Sequence, residues 1–114
     1  MDRTVGILGC DLDAVTRFFE NIINNTKGST DQDHIKLNIV ADSRLLEKNA
    51  EELSELAREF KDSGAELFIL AAPRGFYDTF KSVTDIPIMN SAFDPDDIEL
   101  VRSVISFAGG EVRL

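Results

Sequence analysis

Ala65-Glu66-Leu67-Phe68-Ile69-Leu70-Ala71-Ala72-Pro73-Arg74-Gly75 is the stretch whose reading decides the fold. From Leu67 to Ala72 the residues are apolar without alternation, the pattern of a parallel strand covered on both faces rather than one with a wet side. Loops leaving the carboxyl ends of such strands carry the chemistry in open parallel sheets, so Ala72 to Gly75 is the first place to look for a site. It holds no nucleophile, no acid and no imidazole.

Around this run the chain is of ordinary globular composition. Its 114 residues suit one α/β domain spanning 1–114, with 43% hydrophobic and 29% charged residues. No apolar run is long enough for a bilayer and none resembles a secretory leader, so a cytoplasmic location is expected. A single cysteine closes no internal disulfide and makes no zinc cluster. Twenty-one acidic against twelve basic residues give a charge of -9, which repels phosphate backbones, so no nucleic-acid partner is expected.

Before the central run, Thr4 to Leu8 reads as a first buried strand ending at Gly9. Asp11 or Asp13 caps a helix whose Val15, Phe18, Phe19, Ile22 and Ile23 share one face. Lys27 to Asp33 is a polar connection, and Ile35 to Ala41 alternates as a second strand nearer a sheet edge. From Leu45 to Phe60 an amphipathic helix is expected, stopped by Gly64 at C′. After the central run come a short helix through Phe76, Tyr77, Phe80 and Val83, then a strand at Ile86-Pro87-Ile88-Met89. Asp94-Pro95 predicts the start of a fourth helix with Ile98, Val101, Val104, Ile105 and Ala108 inward, and Val112 to Leu114 a possible last strand.

Alternating strands and helices joined by right-handed crossovers predict a three-layer, flavodoxin-like fold. The expected sheet is parallel, with four to five strands in the order 2-1-3-4 and helices on both faces.

Four segments resemble the amino-terminal domain of the aspartate/glutamate racemase family. Val5-Gly6-Ile7-Leu8-Gly9 resembles its opening strand and turn, and Asp31-Gln32-Asp33-His34-Ile35 its D-Q-x-H-I motif. Gly64 to Ala71 resembles the strand that leads to a catalytic cysteine, and Ile86-Pro87-Ile88 the strand after it. The resemblance implies inversion of an amino acid's α-carbon with no cofactor, one thiol removing the α-proton while another donates from the opposite face. Here the first thiol position is Ala72, and the second belongs to a further domain that the resemblance implies and this chain does not contain. The family's Gly-Gly-Met-Gly-Pro turn reads Gly9-Cys10-Asp11-Leu12-Asp13, and the loop after the second strand is short.

Candidate site residues are therefore Cys10, Thr16, Ser43 and Arg74, as contacts for a small carboxylate or amino acid. Cys10 is the one catalytic candidate, either a relocated thiol or a small residue packed in a turn. Arg74 either grips a carboxylate or is merely solvated; Thr16 and Ser43 either add hydroxyl contacts or serve as local caps and turns. His34 lies at the far end of its strand, where a structural hydrogen bond suits it better. Asp31 and Asp33 are too isolated for a metal, Asp94, Asp96 and Asp97 suit a helix start, and no metal is expected. The leading expectation is a racemase-like pseudoenzyme, either carboxylate-binding or an assembly module. The alternative is an isomerase active only as a homodimer or with a second-domain partner, using Cys10, Asp11 or Asp42 as base. A homodimer is expected, through the fourth helix or the short helix after Arg74.

Overall fold

In the computed structural model, which describes residues 3–27, 35–90 and 93–113, the run Ala65–Ala71 is a strand whose side chains are buried at every position but Glu66. We call it β4. It lies beside β1 (Thr4–Gly9), which in turn pairs with β3 (Lys36–Ala41), all parallel, in the order β3-β1-β4. Continuous apolar sequence has this outcome because helices cover both faces. On one side α1 (Leu12–Asn25) and α4 (Ile98–Phe107) bury Val15, Phe18, Ile22, Val101, Val104 and Ile105 against Val5, Ile7, Leu67 and Ile69. On the other, α2 (Ala50–Asp62) and α3 (Arg74–Lys81) bury Leu53, Phe60, Phe76 and Phe80 against Leu8, Phe68 and Leu70.

The fourth position in the sheet is occupied by one residue rather than a strand. Phe68 and Ile88 form a single parallel bridge, with Phe68 N–H donating to Pro87 O (2.8 Å) and Met89 N–H to Phe68 O (3.0 Å). Pro87 has no N–H to extend the ladder. Beyond the bridge a side chain takes over from backbone: Asn90, buried, donates from Nδ2 to Leu70 O (2.9 Å) and accepts Leu70 N–H at Oδ1 (3.0 Å). The expected order 2-1-3-4 thus holds, with four rows only if that bridge counts as one. No fifth strand joins the sheet among the described residues. Glu111–Val112 (β5) instead pairs antiparallel with Thr26–Lys27 (β2), forming a clip that Arg113 N–H extends by donating to Asn25 O.

Local chemistry corrects two boundaries. The expected helix from Leu45 is a 3-10 turn over Leu45–Glu47, and α2 starts afresh at a capping box in which Asn49 and Glu52 exchange side-chain and backbone bonds. Asp94-Pro95 starts a turn, not a helix: Asp94 accepts Asp96 N–H and its carbonyl accepts Asp97 N–H, with Pro95 at the position a turn favours. Asp97 then caps α4 by accepting from Glu99 and Leu100. Phe19, Ile23 and Ile98, expected inward, are exposed, because the sheet and the neighbouring helices meet only one side of α1 and α4. Asp11 is the cap of α1, and Gly64 ends α2 at φ +92°.

Candidate functional site

Three strand exits meet at one end of the sheet. Cys10 N–H donates to Ala71 O (3.4 Å), and Asp42 N–H to Gly9 O (2.9 Å), so Cys10, Asp42 and Ala72 stand side by side where β1, β3 and β4 end. Ala72 is immediately past β4, half-buried, and packs with Cys10 toward the α2 and α3 side of the core. Gly9 makes this close approach possible. A Cβ there would stand 2.5 Å from Val15 Cγ2 and 2.7 Å from Ala71 Cβ, so only glycine lets β1, β4 and α1 converge at the exit.

The carboxylates beside Cys10 are occupied with backbone. Asp11 Oδ1 accepts Asp13 and Ala14 N–H as the cap of α1. Asp42 Oδ1 accepts Arg44 N–H (2.8 Å), and its Oδ2 faces Lys48 Nζ at 3.7 Å. Each proposed base is thereby an acceptor already in use. The Cys10 thiol forms no hydrogen bond among the described residues, and it remains half-buried.

Of the other predicted contacts, Ser43 is exposed in the turn after Asp42, and Arg74 is exposed at the first position of α3, not in a free loop. Thr16 donates its hydroxyl to Leu12 O (2.8 Å), one turn back on its own helix. His34, Asp31 and Asp33 lie outside the described residues. The structure adds two residues to the carboxyl edge that sequence reasoning passed over. Lys48 is a partly covered cation drawn in by Asp42, and Asn90 fixes the chain where the fourth row would end. A lysine immediately before a capping box carries no sequence signal of its own; an asparagine straight after an apolar Ile-Pro-Ile-Met run did carry one.

At the opposite end of the sheet a groove of about 560 Å³ is lined by Ser54, Arg58, Lys61, Ser82, Thr84 and Asp85. There the Lys61 ammonium, 2.8 Å from Asp85 Oδ2, hydrogen-bonds and attracts the carboxylate, holding its pKa below the ordinary 3.8. It is too far along the strands to join Cys10 in one site. No group of three or more His, Cys, Asp or Glu among the described residues could hold a metal, and no described helix is long and apolar enough to cross a membrane.

No protein-family model and no curated protein matches this sequence. Among solved structures, the Picrophilus torridus aspartate racemase superposes with a TM-score of 0.75 at 18% identity, over 97% of this chain and 94% of that one. The two share a fold. That likeness takes in nearly the whole of both chains, so it extends beyond the four segments that carry the sequence resemblance. At such an identity it describes the arrangement of the backbone, and the chemistry has to be argued from the residues at the strand exits.

Proposed function

We propose that this chain is a racemase-like domain without racemase activity, whose carboxyl edge holds a small carboxylate or serves assembly. The observation that carries this reading is Ala72 at the exit of β4, the place where the resemblance puts a thiol. A methyl group has no proton to exchange, while inversion needs one proton-transferring group on each face of the α-carbon. With Asp11 and Asp42 accepting backbone N–H groups, Cys10 stands alone. Arg74, exposed at the first position of α3, supplies positive charge at the same edge for a carboxylate. The test is α-proton exchange: aspartate and glutamate incubated with the protein in D2O, followed by proton NMR. We expect no loss of the α-proton signal above the buffer rate. Exchange at an enzymatic rate, abolished by Cys10→Ala, would falsify the proposal.

A second reading has one observation in its favour: the solved aspartate racemase is matched over 94% of its length by a chain of this size. On this reading the chain is a cofactor-independent isomerase in which Cys10 acts as base and a second copy, or another protein, brings the opposing group. Exchange would then appear, with a specific rate that rises with protein concentration.

A further inference from the structure

Leu12, Phe19 and Ile23 on α1 are 52%, 37% and 53% exposed, and with Thr16 they fall at spacings of four, three and four residues. This is the spacing of a helix seam, one narrow apolar stripe along a cylinder. The Thr16 hydroxyl is turned back to Leu12 O, so its methyl belongs to the stripe. Where the stripe points follows from the rest of the helix. Val15, Phe18 and Ile22 face the sheet, while Arg17 and Asn21 reach Asp96 and Pro95 on the α4 side. The stripe lies on the flank opposite α4, and so overhangs β3.

β3 is the outer strand there. It runs six residues in unbroken register with β1, without proline or bulge, and its Leu37, Asn38, Ile39 and Val40 are only half-buried. Among the described residues nothing pairs with its outer side. Natural edges of this kind are usually blunted by charge, proline or a bulge, and Lys36 is the one charge in this strand.

We propose that a second copy of this chain docks here, β3 pairing antiparallel with β3 of its mate and the α1 stripes packing across the same two-fold axis, to give one continuous six-stranded sheet. Both halves of the interface are self-complementary. A two-fold axis through Ile39 sets each Ile39 against its mate, keeps Leu37 and Ile39 on the α1 face, and lays Lys36 of one copy beside Asp42 of the other. The spacing four-three-four reads the same in both directions, so antiparallel α1 helices place Leu12 against Ile23 and Thr16 against Phe19. Distances agree as well. With strands about 4.8 Å apart and α1 lying over the β1–β3 pair, each helix axis is roughly 5 Å from the two-fold. The two helices are then about 10 Å apart, within reach of ordinary helix packing. α4 is a poorer candidate than expected from sequence, since Val101, Val104 and Ile105 are spent on the chain's own core.

This proposal is independent of the reading of the carboxyl edge, because it is tested by mass and not by turnover. Sedimentation equilibrium of the full chain should show a dimer. The double variant Phe19→Glu, Ile23→Glu should raise its dissociation constant at least a hundredfold, and Ile98→Glu, at an exposed apolar residue on α4, should leave it unchanged. A chain that stays monomeric at every concentration overturns the proposal, as does a dimer that survives the double variant or is lost in Ile98→Glu. Should the double variant misfold, amide exchange of the native chain decides. The β3 amides that do not bond β1 must exchange more slowly as protein concentration rises; rates that ignore concentration overturn the proposal.

Discussion

Phe68→Ala is expected to destabilise the protein by about 3–5 kcal/mol, the usual range for emptying a buried phenylalanine site. Phe68 is fully buried in β4, and its ring meets Phe60 and Phe80 edge-on at centroid distances of 4.9 and 5.0 Å. Those two rings belong to α2 and α3, so this one side chain joins both helices of its face to the sheet. The same residue's backbone makes the single bridge to Ile88. For a chain of this size the loss corresponds to a fall in Tm of roughly 12–20 °C, at about 4 °C for each kcal/mol. It should be read from thermal and urea unfolding of both proteins. Phe68→Leu, which keeps most of the volume, should cost under about 1.5 kcal/mol. If Phe68→Ala melted within a few degrees of the native protein, the face would have some other keystone and the packing argument would be wrong.

Asn90→Ala should be nearly as damaging, for a reason that involves no apolar surface. The amide of Asn90 is the partner of both Leu70 N–H and Leu70 C=O, and all three groups are buried. Truncation strands two backbone groups, at about 1–3 kcal/mol each. We expect a loss of about 2–4 kcal/mol in urea unfolding. Asn90→Asp separates this account from simple packing. An ionised carboxylate still accepts Leu70 N–H but repels Leu70 C=O, whereas the protonated acid can donate to it. The folded state of that variant therefore binds a proton more tightly than the unfolded chain, and its stability relative to the native protein should recover as pH falls. A deficit independent of pH, or an Asn90→Ala variant within about 0.5 kcal/mol of native, would show that the amide is not acting as a strand.

Much of the architecture was legible in the residues because burial leaves a pattern. The unbroken apolar run announced a strand covered on both faces, the alternation at Ile35 to Ala41 announced an edge, and Asp11 and Gly64 announced a helix start and stop. What could not be read was which of several competent groups would act. Three aspartates could have begun α4, and Pro95, by favouring a turn, handed the cap to Asp97. Phe19 and Ile23 follow helical spacing as well as Phe18 and Ile22 do, and only the placement of the sheet separates a core face from an uncovered one. The fourth strand failed as a strand because proline interrupts its donors and a side-chain amide replaces the next pair.

The candidate site shows the same division more sharply. Ala72 at a strand exit was legible from the buried run that precedes it. The fate of Asp11 and Asp42 was not, since a carboxylate next to a turn suits general base and backbone acceptor equally in sequence. Hydrogen-bond geometry decides between them, and here both serve the backbone. Lys48 was invisible because its position depends on Asp42, six residues earlier and across a turn.

The clip between Thr26–Lys27 and Glu111–Val112 joins positions separated by most of the chain. Closing so long a loop in a disordered polypeptide costs on the order of 4 kcal/mol in conformational entropy, more than two antiparallel residue pairs can return. This small ladder therefore forms only once the rest of the chain has brought its halves together, which puts it on the native side of the rate-limiting step. Changes there should quicken unraveling and leave the speed of assembly nearly untouched.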